Sequence, residues 1–148
     1  LLGSALGSRV DKMPKAEVGV LDINLTEAGK ADPLFAGIAP TFQALQWHGA
    51  AVLDAPPEAV ILADSPVCAN QAMRVGDVAY GLQCHTELTG STVGEWGAVP
   101  AYACALDATL GKGALQALDR EAARKMPDFA RDSRRLYDNF MSILRRRG

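Results

Sequence analysis

Within these 148 residues, Gly81-Leu82-Gln83-Cys84-His85-Thr86-Glu87 is the stretch best suited to chemistry. An apolar run from Val78 to Leu82 ends in a histidine and a glutamate two positions apart. In extended chain, residues i and i+2 project from one face, roughly 7 Å apart along the backbone. A carboxylate placed there reaches one imidazole nitrogen and leaves the other free as a base, the orienter–base half of a nucleophilic triad. The plainer alternative is a strand-end histidine salt-bridged to a surface glutamate, and spacing alone leaves both open. Neighbours on a strand point to opposite faces, so Cys84 is expected to face the core as a small hydrophobe. The nucleophile of such a triad is not expected within the 148 residues.

Gln46-Trp47-His48-Gly49 forms a second cluster. A His-Gly step after a strand lets backbone amides approach a ligand closely; equally, it ends a strand in a turn with Trp47 packed on the core. Two histidines and three scattered cysteines show no metal-ligand spacing. Arg145-Arg146-Arg147 reads as a solvated helix end.

The elements that must position these residues follow from periodicity. A short helix over residues 1–6 stops at Gly7, and Arg9 to Met13 forms a short strand closed by Pro14. Glu17 to Leu25 alternates, with Leu21, Ile23 and Leu25 on one face. Asp32-Pro33-Leu34-Phe35 predicts a capped turn with proline at its first position. Strands are expected over Thr41 to Trp47 and Ala51 to Leu53, interrupted at His48-Gly49, and over Ala59 to Ala63. Asn70 to Val75 and Asp77 to Cys84 read as a hairpin turning at Gly76-Asp77. Helices follow: a turn over Ser91 to Trp96, then Ala101 to Leu110, Ala114 to Met126 broken by Pro127, and Asp128 to Arg146. Strands first and helices last leave a sheet that still needs a covering layer, consistent with missing N-terminal elements.

Length allows one domain with a real core. With 49% apolar and 22% charged residues the composition is that of a soluble globular protein. A net charge of −2 excludes a nucleic-acid footprint, and the longest uncharged stretch, Pro33 to Leu53, is too rich in turn and polar residues for a membrane span. Cys68, Cys84 and Cys104, an odd and sparse set without a CxxC pair, point to a reducing compartment.

Taken together, the motifs resemble a known family. Gly81-Leu82-Gln83-Cys84-His85-Thr86-Glu87 is similar to the G-[LV]-Q-F-H-P-E motif of class I glutamine amidotransferases. Gln46-Trp47-His48-Gly49-Ala50 falls where that family has [SN]-H-G-[DF], and Lys12-Met13-Pro14-Lys15-Ala16-Glu17-Val18-Gly19 resembles the K-x-P-K-x-E-[IV]-G stretch of stand-alone, GMP-synthase-like members. Leu1-Leu2-Gly3-Ser4-Ala5-Leu6-Gly7 looks like the segment that follows the family's nucleophile elbow, G-x-C-x-G-x-Q. Ala105 to Leu110 and Tyr137 to Phe140 fit the same members.

The resemblance implies an α/β fold with a mixed, mostly parallel, flavodoxin-like sheet flanked by helices, of which residues 1–148 are the C-terminal part of a single domain. It implies His85 as general base and Glu87 as its orienter. The nucleophilic cysteine would lie about five positions before Leu1, on a strand-to-helix elbow. Backbone groups of Trp47, Gly49 and Ala50 would line the amino-acid end of the pocket. The implied reaction is thiolate attack on the side-chain amide of glutamine or a related γ-glutamyl amide, without metal or organic cofactor, in the cytoplasm. A partner synthase would accept the ammonia. The other reading is a non-catalytic remnant or pseudoenzyme that binds a partner. Thr86 replaces the family's proline, Cys84 its phenylalanine, and Ala50 stands where relatives carry Asp or Phe.

Overall fold

A computed structural model describes residues 2–146. Leu1, at the head of the expected first helix, and Arg147, in the arginine run, lie outside the described residues. The described chain runs α1 (Leu2–Ala5), β1 (Val10–Leu25), α2 (Glu27–Ala31), a 3-10 turn (Pro33–Phe35) and β2 (Thr41–Val52). Strands β3 (Ala59–Asp64), β4 (Ala72–Val75) and β5 (Ala79–Leu82) follow, then α3 (Thr92–Gly97), α4 (Pro100–Leu110) and α5 (Leu115–Arg145).

The five strands form one sheet in the order β2-β1-β3-β4-β5, and every neighbouring pair is antiparallel. This corrects the mostly parallel, flavodoxin-like sheet expected above, while the combination of sheet and flanking helices stands. The cause is connectivity. A parallel neighbour needs a crossover of a dozen or more residues, usually a helix. Between β1 and β5 the chain offers only α2, five residues, and the three-residue 3-10 turn. Consecutive segments joined without crossovers pair antiparallel.

β1 and β2 are longer than read from sequence, and each is continuous. In their register Lys12 faces Ala50 and Glu17 faces His48. The four residues Met13 to Ala16 therefore oppose the single Gly49, so the irregularity expected at His48-Gly49 lies in β1, as a bulge. Pro14 is tolerated there because a bulge needs no ladder donor. The β4–β5 hairpin turns at Gly76, whose φ of +59° favours glycine.

Two apolar clusters form on the two faces of β1 and β2. Ile23, Phe42 and Ala44 pack with Leu34, Phe35, Leu62, Cys84 and Ile143 on one. Val18, Val20, Leu45 and Trp47 pack on the other against Val93 of α3, Leu106 of α4, and Leu118 and Phe129 of α5. The turn at Asp32 is capped as expected, with the carboxylate accepting from Leu34 N and Pro33 at the first position. Pro127 does not break α5: it lies inside one 31-residue helix. An interior proline costs about 3 kcal/mol. Burial of Leu118, Ala122 and Phe129 on both sides of it holds the helix together.

Candidate functional site

His85 lies just past β5, where the chain bends away from its β4 partner and crosses to β2. Its N–H donates to the Leu45 carbonyl at 3.0 Å and its carbonyl accepts from Leu45 N–H at 2.9 Å. Residues directly opposite in such a bridge share a face. The imidazole consequently stands on the Leu45 and Trp47 side, while Cys84 turns to the other.

Nδ1 of His85 is 2.6 Å from Oε1 of Glu87, and Oε2 of Glu87 accepts from Thr86 N–H at 3.0 Å. With both carboxylate oxygens engaged, the glutamate is fixed as an acceptor. Nδ1 then carries the hydrogen and Nε2 presents its lone pair. Among the described residues, none hydrogen-bonds to Nε2. The hydrogen bond from His85 is the main cause holding the Glu87 carboxyl below its usual range, with burial opposing and backbone N–H groups assisting. The His85 side chain is about one-third exposed, and a cavity of about 320 Å³ opens beside it, walled by Leu82, Thr86, Glu87, Ser133 and Leu136.

Cys84 also contributes to that wall, yet only 5% of the residue is exposed. Burial pushes its thiol up to about 12. Such a thiol forms almost no thiolate at neutral pH and is no nucleophile. Cys68 is buried with its pKa raised for the same reason, and Cys104 is exposed.

Trp47 is buried against α3 and α4, its indole N–H donating to the Tyr102 carbonyl at 3.1 Å. Gly49 and Ala50 are exposed on β2. The Gln83 side-chain amide reaches the Ala50 carbonyl at 3.4 Å, so β2 and the His85 segment meet at two points, Leu45 and Ala50. A Cβ at Gly49 would meet only Ala16 at 3.7 Å, ordinary contact, so nothing within this chain demands glycine there.

Two residues near the site escape a sequence reading. Trp96 stands edge-on to the His85 ring at 5.0 Å and to Trp47 at 6.0 Å, forming a wall behind the imidazole. Glu17, 4% exposed, lies beneath His48. Periodicity carried back along β1 places Glu17 on the face of Ile23, which was the available signal for a buried carboxylate. Nothing marks Trp96 before α3 is docked. Among the described residues no group of three or more His, Cys, Asp or Glu is arranged to hold a metal ion. No described helix is long and apolar enough to cross a membrane.

The family model for glutamine amidotransferase class-I matches residues 1–96, which include β1, β2, the His85–Glu87 pair and Trp96. The chain belongs to the class I glutamine amidotransferases. It is 38% identical over 96 residues to the glutamine amidotransferase-like protein YfeJ of Salmonella typhimurium, a match covering 63% of this chain and 38% of that protein. To a glutamine-hydrolysing GMP synthase component of Pyrococcus abyssi it is 29% identical over 96 residues, covering 64% of this chain and 50% of that protein. A glutamine amidotransferase from Thermotoga maritima superposes with a TM-score of 0.78 at 26% identity, over 94% of this chain and 57% of that one. The chain thus spans half or less of the curated relatives it matches. The amidotransferase superposition covers the antiparallel sheet described above together with its helices.

Proposed function

We propose that this chain supplies the base half of a thiol-dependent amidase acting on the side-chain amide of glutamine or a related γ-glutamyl amide. One observation carries the reading: the 2.6 Å contact between His85 Nδ1 and Glu87 Oε1, in a ring one-third exposed whose Nε2 has no hydrogen-bond partner among the described residues. Family membership supplies the reaction class. The nucleophile is a cysteine outside the described residues, and residues 1–148 are the C-terminal part of a single amidotransferase domain. The coverage of longer relatives supports that division.

In this reading Nε2 of His85 takes the thiol proton, and the thiolate attacks the amide carbon. The imidazolium, held by Glu87, then gives that proton to the departing nitrogen. Ammonia leaves and a thioester remains. Water, deprotonated at Nε2, attacks the thioester carbonyl; the C–S bond breaks, the acid is released and the thiol is restored. No step calls for a metal or organic cofactor. Backbone groups of Trp47, Gly49 and Ala50 bind the amino-acid end of the substrate. Likeness to a GMP synthase component favours a synthase partner as ammonia acceptor. A mechanism that depends on a free thiol fits the reducing cytoplasm.

The second reading is a non-catalytic partner-binding module, in which the buried Cys84 beside His85 has no catalytic replacement. The test is labelling of the full-length protein with a diazo-ketone analogue of glutamine. Label on a cysteine other than Cys68, Cys84 and Cys104 supports the amidase. His85→Ala should lower turnover about 10²–10⁴-fold and Glu87→Gln less. Undiminished turnover in His85→Ala, or no labelling, removes the base assignment in favour of the binding module.

A further inference from the structure

We propose that Glu17 is a positioning residue for Trp47–Ala50, an inference that rests on the substrate-binding role proposed for that segment. Glu17 faces His48 directly in the β1–β2 register, so the two side chains share a face. The carboxylate is buried, and donors surround it. Ser65 Oγ donates to Oε1 at 2.6 Å, and Gln71 Nε2 donates to Oε2 at 2.6 Å. Oε2 also lies 3.1 Å from Nε2 of His48, a bent approach that is an ion-pair contact rather than a straight hydrogen bond. Ser65 is itself held by the Cys68 N–H. Burying a carboxylate is costly unless it is fully paired, and an apolar side chain would fill the same position without three polar partners.

The consequence reaches the surface through His48, whose side chain is only 9% exposed. Its Nδ1 is 3.1 Å from the carbonyl oxygen of Ala50. A carbonyl only accepts, so Nδ1 carries a hydrogen. The Nε2 contact with the carboxylate is attractive when a hydrogen lies between the two atoms and repulsive when the lone pair faces it. Burial pushes the His48 pKa down and the nearby His85 acts in the same sense, while the Ala50 carbonyl and Glu17 push it back up. Glu17 is the one anion in that balance. By favouring the form with a hydrogen on each nitrogen, in which both contacts are attractive, the buried acid orients an imidazole that grips Ala50, and the same carbonyl takes the Gln83 amide from the His85 segment.

The carboxylate also orders the amides beside it. Because it only accepts, Gln71 must turn its NH2 toward Glu17. Its Oε1 then accepts from Gln46 Nε2 at 2.9 Å, which leaves Gln46 Oε1 buried without a partner. Gln46 and His48 are two apart on β2 and face the same way. A neutral glutamine at position 17 removes the fixed acceptor from which this chain of orientations starts.

Proton–nitrogen correlation spectra of the histidine rings in the full-length protein report His48 and His85, with His48→Gln and His85→Ala giving the assignments. In the wild-type protein His48 should carry a hydrogen on Nδ1 that exchanges slowly with solvent. In Glu17→Gln its titration midpoint should fall or its tautomer change. In the full-length protein Glu17→Gln should raise KM for glutamine about tenfold and leave kcat within about threefold. A bare Nδ1 in the wild type overturns the proposal even if Glu17→Gln fails to fold. So does a folded Glu17→Gln with unchanged His48 spectra, or with KM unchanged. If His85→Ala retains turnover, the amidase reading falls, and the His48 spectra alone then decide the role of Glu17.

Discussion

The two faces of the segment around His85 can be told apart by thiol chemistry, with no substrate in hand. Cys84 shares the apolar cluster of Ile23, Phe42, Ala44 and Ile143, and burial raises its pKa from 9.0 to about 12. At pH 8 a thiol of pKa 9.0 is roughly one-tenth thiolate, and one of pKa 12 is about one part in ten thousand. The difference in thiolate is about a thousandfold, and limited access of the reagent to a residue that is 5% exposed acts in the same direction. The assay is iodoacetamide labelling at pH 8, native and in urea, with sites read by peptide mass spectrometry. Native Cys84 should react about a thousandfold more slowly than in urea, while exposed Cys104 differs little. The sign also fixes an alkaline effect. The folded protein holds this proton more tightly than the unfolded chain, so this thiol's favourable contribution is intact below pH 9.0 and declines as pH rises toward about 12. Comparable native labelling of Cys84 and Cys104 in a folded sample would refute the assignment of faces. The exclusion of Cys84 as the partner nucleophile would go with it.

Other consequences are as direct. Glu87, held below the ordinary 4.5 chiefly by the His85 hydrogen bond, should be more than half ionised at pH 4.5. Its stabilising contribution is present above that value and lost as pH falls through the lower folded pKa; a carboxyl NMR midpoint at or above 4.5 would contradict the contact. Gly29→Ala puts a Cβ 1.9 Å from the Leu62 carbonyl oxygen, a backbone atom that cannot swing aside. Urea unfolding should show a loss of about 3 kcal/mol or more, and a loss under about 1 kcal/mol would mean that α2 does not sit against β3 as described. Pro127→Ala restores an interior N–H to α5 and should raise stability by about 1–3 kcal/mol in thermal unfolding; destabilisation would mean that the proline ring contributes packing that outweighs the lost hydrogen bond.

Much of this architecture is readable in the residues. Alternation marks the C-terminal half of β1, and proline after aspartate marks the capped turn at Asp32. The direction of the sheet is equally implicit: no helix long enough for a crossover separates the strands, yet the family resemblance outweighs that local signal and suggests parallel pairing. The bulge at Met13–Ala16 is not readable, because it is a mismatch between two strands rather than a property of either. Pro127 misleads because local propensity carries no information about Phe129, whose burial holds the helix through the break. The spacing of His85 and Glu87 indicates that they share a face, but not that a backbone bridge to Leu45 and the edge of Trp96 set the ring.

Both histidines of the chain have a glutamate at contact distance, and composition cannot separate the pairs. Their surroundings do. His48 has Ala50 on one nitrogen and Glu17 against the other, in a side chain that is 9% exposed. No lone pair is left for a substrate, and any proton taken up there must be held among buried groups. His85 has Glu87 on Nδ1 alone, stands one-third exposed, and has no described residue hydrogen-bonded to Nε2. A base must exchange protons with its substrate, which requires an accessible nitrogen and an orienter on the far side of the ring. A positioning group must do neither, and gains from having both nitrogens held. The register of β1 and β2 is what sorts the two. It places Glu17 under His48 on one face, and the Leu45 bridge delivers His85 to the other. A slip of one residue between β1 and β2 would turn Glu17 to the opposite face and leave His48 without its carboxylate. The extra residues of the Met13–Ala16 bulge let Val10–Lys12 pair with Ala50–Val52 while the Glu17–His48 pair keeps its place.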